Sequence, residues 1–334
     1  MENLVNLYKN LSYHCYDVHI SPSEEVIFDA WPGAIIRNNL LFAAEQILMP
    51  KIACSLRNHI DAFPLKADHP LYDELKEGFP KGYTLTNFSF NGTSIPCTEM
   101  KKNIPSNPYM VIRKGAPFSF SLLLIGNFND YRFYFFEAIR QMCERGIGKP
   151  ITPFTLTDIK ENSLSPVTLS DFIENIPLSE DTPDASSLIT IRFLTPAILY
   201  RLRNKKNTQL SYQDKTNRFP SFYQLIRSSL FRVQKLYALY ENPSEKDASL
   251  FDETCLENYL EKAGHPLLKS ANIQHISLPN SQKKGMKNEL PLAGYIGEQT
   301  YEGYFQQYVP LLKFMSVLGV GNETVYGMGK FEAK

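Results

Sequence analysis

The chain has 334 residues, and at roughly 150 residues per domain this length predicts two domains. The hydrophobic fraction of 43% suffices for two buried cores and excludes a disordered tail protein. The 35 basic and 35 acidic residues give a formal net charge of zero. This balance argues against a nonspecific nucleic-acid binder and confines any nucleic-acid contact to a local basic patch.

The cysteines and the apolar runs indicate the compartment in which the protein is expected to function. Five cysteines are widely spaced without a C-x-x-C pair, which predicts neither a zinc cluster nor a disulfide framework. No signal peptide is recognisable, and the longest apolar stretch, residues 120–125, is too short to span a membrane. We expect a cytoplasmic protein with reduced thiols, no metal, no cofactor and no membrane partner. The cysteines are Cys15, Cys54, Cys97, Cys143 and Cys255.

Extended and helical patterns alternate through the first half of the chain. Residues 11–28 predict two strands around a turn, and apolar residues spaced by three and four after Trp31 predict a helix that ends at Pro50. Residues 53–105 are rich in turn formers apart from one strand pattern at 83–90. The remaining predicted elements are strands at 109–113, 118–125 and 154–159 and a helix at 131–145.

A second cycle of the same pattern follows a connecting segment. Residues 161–187 hold three prolines and several acidic residues, which predicts either the connection between two domains or an exposed excursion of the chain. Each half then contains strand, helix, two strands, helix and strand, the split βαβ order. We therefore predict an α+β fold of two tandem ferredoxin-like (RRM-like) domains, residues 1–187 and 188–334. The second-half elements are strands at 188–194, 275–278, 290–296 and 324–332 and helices at 219–240 and 304–318.

Four glycines near the C-terminus form two pairs. One residue separates the two glycines of each pair, and five residues separate the two pairs. With this pattern and the runs Gly294-Tyr295-Ile296-Gly297 and Phe193-Leu194-Thr195-Pro196, the sequence resembles the CRISPR-associated endoribonuclease family Cas6, within the wider group of repeat-associated RNA-binding proteins. Pro32-Gly33-Ala34-Ile35-Ile36-Arg37 also stands where this family often carries a glycine-arginine helix start. The four glycines are Gly319, Gly321, Gly327 and Gly329.

The resemblance implies a metal-independent endoribonuclease that cleaves precursor CRISPR RNA (crRNA) within its repeats. The upstream 2′-hydroxyl would attack the phosphate, giving a 2′,3′-cyclic phosphate and a 5′-hydroxyl. A noncatalytic crRNA-binding subunit of a CRISPR effector complex is the alternative on the same fold, and an unrelated ferredoxin-like enzyme is the third. Expected partners are repeat RNA and effector complex subunits, and the chain is expected to be a monomer or homodimer.

Candidate catalytic residues follow from the same resemblance, because the catalytic histidine of the family usually lies near or after the first helix of the first domain. His59 lies closest to that position, with Arg37 as its phosphate-facing partner, and His69 is the next candidate. Histidine suits proton transfer because its unperturbed pKa is about 6.5, and arginine stabilises charge on phosphate. The competing interpretation places His59 in a surface loop.

Candidate RNA contacts are the glycine-rich segment and three basic segments. Backbone N–H groups at Gly319 and Gly321 are expected to cradle phosphates, whereas Gly327 and Gly329 favour close packing. A tight turn into the last strand is the alternative, and the spacing is not that of a P-loop. A solvated charged face is the alternative for the basic segments. These are Lys283, Lys284 and Lys287; Arg201 and Arg203 extending to Arg227 and Arg232; and Lys101, Lys102, Arg113 and Lys114.

Overall fold

The structure is a computed structural model that describes residues 4–50, 53–65, 72, 79–95, 109–174, 187–199, 219–241, 253–263, 266–278 and 292–334. Helices and two antiparallel sheets of four or more strands form this part of the chain, which confirms the α+β class. The first domain contains a 3-10 turn Leu4–Tyr8, β1 Ser12–Pro22, β2 Val26–Phe28, α1 Pro32–Glu45, β3 Leu48–Met49, β4 Cys54–Ser55, α2 Leu56–Asp61, β5 Tyr83–Phe90, β6 Thr93–Ser94, β7 Met110–Ile112, β8 Phe118–Ile125, a 3-10 turn Gly126–Tyr131, α3 Arg132–Arg145, β9 Phe154–Glu161, β10 Val167–Thr168 and α4 Leu169–Glu174.

The central sheet of the first domain has the strand order β9-β1-β8-β5, with every neighbouring pair antiparallel. Alternate residues of β1 are buried on one face, among them Tyr16, Val18 and Ile20. Helices α1 and α3 pack together, and the Tyr16 ring meets Phe136 of α3 with the centroids 5.0 Å apart. The period of two along the strand therefore places the helices on one face, as the split βαβ pattern requires.

The second domain contains β11 Ser187–Ala197, α5 Phe222–Tyr240, α6 Glu253–Ala263, β12 Leu267–Leu278, β13 Leu292–Gly303, a 3-10 turn Gln306–Tyr308, α7 Val309–Leu318, a 3-10 turn Thr324–Tyr326 and β14 Phe331–Ala333. It repeats the arrangement of the first domain with the strand order β12-β13-β11-β14. The long helix α5 begins where Ser221 and Gln224 form a reciprocal capping box. The predicted pair of ferredoxin-like domains is thus confirmed.

The structure corrects two sequence-based predictions. The strand expected over residues 324–332 is wrong, because only Phe331–Ala333 is a strand and a 3-10 turn precedes it. Glu323 (φ 61°), Gly327 (φ 77°) and Gly329 (φ 73°) have left-handed backbone that a strand excludes. The connecting segment is also shorter than predicted, since β10 pairs with β1 and α4 packs on α7. The domain boundary at 187/188 stays a prediction.

The two domains share an apolar interface with polar contacts in it. The Tyr13 ring of β1 lies 5.7 Å from that of Phe314 in α7. In the buried part of the same interface, Gln234 of α5 donates a hydrogen bond of 2.9 Å to the Tyr8 hydroxyl. In the described ranges no helix is both long and apolar enough to cross a bilayer. Cys15, Cys54 and Cys143 are free thiols.

Candidate functional site

A cleft of about 340 Å³ opens where α1, the segment before β5, helix α5 and residues 321–325 meet. Among the described residues that line it, four are basic and one is acidic, which leaves an excess of three positive charges. Both domains contribute two of the basic residues. Because opposite charge and a concave, partly desolvated site favour anions, the cleft is suited to a phosphate group. The charged lining residues are Arg37, Lys81, Arg232, Lys235 and Glu323.

Arg37 is held by an aromatic residue of the second domain. Its Nη1 donates a hydrogen bond of 2.9 Å to the Tyr326 hydroxyl, and its Cζ lies 4.6 Å from the centre of the Tyr326 ring. Trp31 and Pro32 start α1, and Arg37 follows one and a half turns later on the side that faces the glycine-rich segment. Arg37 thus reaches the cleft from a rigid helix and not from a loop.

Two polar atoms beside this contact are buried without a hydrogen-bond partner, namely Arg37 Nε and the Tyr83 hydroxyl. Burial raises the pKa of Tyr83 to about 12, and the nearby positive charge of Arg37 acts in the opposite direction. The two groups are therefore neighbours, although the geometry between them does not complete a hydrogen bond. Such a pair of buried polar groups without hydrogen-bond partners is uncommon in proteins.

Lys81 lies in the same cleft and was missed by sequence reasoning. Its Nζ is 3.7 Å from Asp61 Oδ1, donates 3.3 Å to the Asp61 carbonyl oxygen and lies 4.2 Å from the centre of the Phe79 ring. Burial lowers the pKa of Lys81, Asp61 opposes this shift, and Arg37 adds to it. The only available signal was the Phe79-Pro80-Lys81 run before a predicted strand, which does not say what that run faces.

His59 lies on helix α2, which begins at a Ser55 cap whose hydroxyl accepts 3.2 Å from the Asn58 N–H. It is not in a surface loop. Its ring stacks on Phe128 at 5.5 Å and contacts Tyr131 at 4.2 Å, and its Nε2 is buried without a hydrogen-bond partner. Burial lowers the pKa of His59. His59 does not itself line the cleft, although Asp61 of the same helix contacts Lys81.

The glycine-rich segment closes one side of the cleft. Gly321 lines it, and a Cβ at this position would lie 2.1 Å from the Ile198 carbonyl oxygen. The Gly319 N–H donates 2.8 Å to the Met315 carbonyl oxygen, so that donor is engaged within the protein. Gly327 and Gly329 are buried in close packing, as predicted. Contact of Gly319 or Gly321 with RNA stays a prediction.

The remaining predicted residues divide into two groups. Arg232 lines the cleft, whereas Lys114 pairs with exposed Glu24 at 2.7 Å and Arg227 lies over the Phe231 ring at 4.7 Å. Within the described ranges no group of three or more His, Cys, Asp or Glu side chains is placed to hold a metal ion. His69, Lys101, Lys102, Arg201, Arg203, Lys283, Lys284 and Lys287 lie outside the described residues.

The C-terminal half matches a known family by sequence. Residues 191–331 match the family model of the CRISPR-associated endoribonuclease Cas6, and residues 11–175 match a second model described as an N-terminal domain. Residues 191–331 are a Cas6-family region. This match supports a role as a crRNA-processing endoribonuclease or a crRNA-binding protein. None of the curated proteins matches the sequence.

Solved Cas6 structures share the fold over nearly the whole chain. A product complex of a Thermus thermophilus Cas6 is 14% identical, covers 97% of this chain and 99% of its own, and has a TM-score of 0.52. A partial Cas6-RT-Cas1–Cas2 complex is 13% identical and covers 98% of this chain and 46% of its own, with a TM-score of 0.51. At such identities the likeness establishes the tandem ferredoxin-like architecture of this chain.

Proposed function

We propose that this chain is a metal-independent endoribonuclease that cleaves precursor CRISPR RNA within its repeats. The 2′-hydroxyl upstream of the scissile phosphate attacks phosphorus and loses its proton to a base, while the leaving 5′-oxygen gains a proton. The products are a 2′,3′-cyclic phosphate and a 5′-hydroxyl. The single observation that carries this proposal is the basic cleft, which Arg37 lines from α1 while its Nη1 donates to the Tyr326 hydroxyl.

Four residues have proposed roles in this reaction. Arg37 binds the non-bridging oxygens of the phosphate, where a fixed positive charge stabilises the phosphorane most strongly. Lys81 adds a second positive charge near the same oxygens. His59 is the proposed proton acceptor, because its burial favours the neutral imidazole that a base requires. His69 is the second candidate for this role.

RNA outside the scissile phosphate would follow the basic residues of both domains. Arg232 and Lys235 extend the cleft along α5, and Gly319 and Gly321 are proposed as RNA contacts on its other side. Lys283, Lys284, Lys287, Arg201 and Arg203 are proposed as further phosphate contacts, which would make binding fall steeply with salt. Effector complex subunits are proposed as additional partners, with the chain itself a monomer or homodimer.

The noncatalytic crRNA-binding subunit remains the second candidate function. The specific observation that favours it is the position of His59, whose ring stacks on Phe128 and Tyr131 and does not line the cleft. A binding module needs the basic cleft but no proton acceptor beside the phosphate. The two functions therefore differ in cleavage and not in RNA affinity.

The test is single-turnover cleavage of repeat RNA in EDTA by wild type, Arg37→Lys, His59→Ala and the control Arg140→Lys, at an exposed arginine paired with Glu137 on α3. We expect wild type and the control to leave a cyclic phosphate. Arg37→Lys should cut about 10²-fold more slowly, because a lysine does not reproduce the planar donor pair. His59→Ala should bind RNA but cut about 10²-fold more slowly. Binding without cutting by wild type would establish the binding module, and an unchanged rate in His59→Ala would remove His59 from the mechanism.

A further inference from the structure

The backbone of Tyr326 is fixed by the first turn of α1. The Trp31 indole Nε1 donates a buried hydrogen bond of 2.7 Å to the Tyr326 carbonyl oxygen. That same oxygen approaches Gly33 so closely that a Cβ there would lie 2.0 Å from it. Tyr326 of the second domain thus packs against the start of α1 in the first domain. Trp31 supplies a donor for the Tyr326 carbonyl oxygen, and Gly33 leaves the space that this oxygen occupies.

The side chain of Tyr326 then reaches Arg37, one and a half turns further along α1. Its hydroxyl accepts the Arg37 Nη1–H, and its ring lies under the guanidinium carbon. Tyr326 is itself only 7% exposed. Burial raises the pKa of Tyr326, with Arg37 opposing this shift, so the phenol is neutral at neutral pH and pairs with the arginine as an acceptor.

The Tyr326 contact engages one nitrogen of the Arg37 guanidinium and leaves another without a hydrogen-bond partner. Nη1 is engaged by Tyr326, whereas Nε has no hydrogen-bond partner and is buried beside the Tyr83 hydroxyl. A free arginine side chain samples many rotamers, and a stacked ring with a hydrogen bond selects one of them. In this orientation Arg37 lines the cleft.

We propose that Tyr326 is a positioning residue: it holds Arg37 in the orientation that binds the scissile phosphate. The glycine-rich segment then contributes to the reaction chiefly by delivering Tyr326 across the domain interface, and less by offering its own N–H groups. This inference rests on the proposed function, since it assigns a partner to the proposed phosphate-binding arginine. Tyr326 itself need not touch the RNA.

The experiment is a double-mutant cycle between Tyr326→Phe and Arg37→Ala, with Tyr304→Phe as the control on an exposed tyrosine of the same domain. Tyr326→Phe keeps the ring and removes only the hydroxyl. We expect kcat to fall about tenfold, KM to change little and the melting temperature to stay within a few degrees. In the Arg37→Ala background the same change should have no further effect, because the residue it positions is already gone.

The outcomes separate this inference from the proposed function. Equal rates for Tyr326→Phe and wild type, or losses that multiply in the double variant, would overturn the positioning role while leaving the endonuclease in place. If the wild type binds repeat RNA without cutting it, the proposed function fails and the cycle is measured on RNA affinity. The same non-additive loss is expected there, and additive losses would again reject the role of Tyr326.

Discussion

Two phenol groups and one carboxylate lie near the charged guanidinium of Arg37. Tyr326 accepts from it, Tyr83 lies beside its Nε, and Asp61 acts on it at longer range. Only arginine presents several donors in one rigid plane, so it can bind a tyrosine with one edge and an oxyanion with another. Lysine at this position would have to choose between them.

His59 should make stability depend on pH. Burial lowers its pKa in the folded protein, so the unfolded chain binds a proton more readily and folding favours the neutral imidazole. The stabilisation is present above the unfolded pKa of about 6.5 and is lost as the pH falls toward the lower, folded value. Replacing His59 with phenylalanine keeps a ring against Phe128 and Tyr131 without a titrating group.

We predict that His59→Phe flattens the pH profile of stability. Wild type should lose unfolding free energy relative to the variant as the pH falls below about 6.5, and the two should run parallel above pH 7. Urea unfolding at a series of pH values measures this difference. The other five histidines are present in both proteins, so they cancel. Parallel profiles over the whole range would contradict the burial of the His59 ring.

At the scale of elements, helix α1 and the glycine-rich segment pack against each other and hold one another in place. At the start of α1, the Trp31 indole donates a hydrogen bond to the Tyr326 carbonyl oxygen, and Gly33 leaves room for that oxygen. Further along α1, Arg37 donates to the Tyr326 hydroxyl. Gly327 continues the seam by packing on Phe88 and the Leu85 carbonyl oxygen of β5. The spacing of these groups along α1 therefore has to match one tyrosine and its carbonyl.

Gly33→Ala should separate the two elements. Alanine normally stabilises a helix relative to glycine by up to about 1 kcal/mol, but here its Cβ would lie 2.0 Å from the Tyr326 oxygen. We expect the clash to reverse the sign, with a loss of about 1–3 kcal/mol and slower RNA cleavage. Gly115→Ala, whose Cβ meets nothing within 4 Å, is the control: it should lose some stability through backbone strain but keep the cleavage rate. A stabilised Gly33→Ala protein would disprove the close approach.

Much of each sheet could be predicted from sequence, and the cleft could not. Alternating burial in β1 and the long apolar face of α5 are local patterns, and they gave the right order of elements. The turn around Thr324–Tyr326 depends on contacts with Trp31 and Gly33, nearly three hundred residues earlier, which no local pattern contains. In the sequence, Tyr83 and Tyr326 look like ordinary aromatic core residues. Only the fold reveals that their hydroxyls lie near an arginine.

At the scale of the whole molecule, the domains are joined along several lines of contact. Glu241 at the end of α5 accepts hydrogen bonds from the Ser12 N–H (2.8 Å) and hydroxyl (2.7 Å), and the Tyr240 ring packs on Phe128 at 5.5 Å. Together with the Tyr13–Phe314 and Tyr8–Gln234 contacts, these tie both ends of the interface. The domains should therefore unfold together and not one after the other.

The single tryptophan reports directly on this docking. Trp31 is 1% exposed and hydrogen-bonded to the second domain, so its emission should be blue-shifted in the native protein. During urea unfolding we expect the red shift of this emission to coincide with the loss of far-ultraviolet circular dichroism. A red shift that precedes the loss of ellipticity would show that the interface opens while both domains stay folded.

The Arg37–Tyr326 contact joins residues 289 positions apart in the chain. During synthesis the first domain, complete with Arg37, is exposed long before Tyr326 leaves the ribosome. Until then the guanidinium lacks its contact with Tyr326, and the cleft lacks the residues that the second domain contributes. On the proposed function, a nascent chain should therefore be unable to cleave RNA until Tyr326 has emerged and docked on α1.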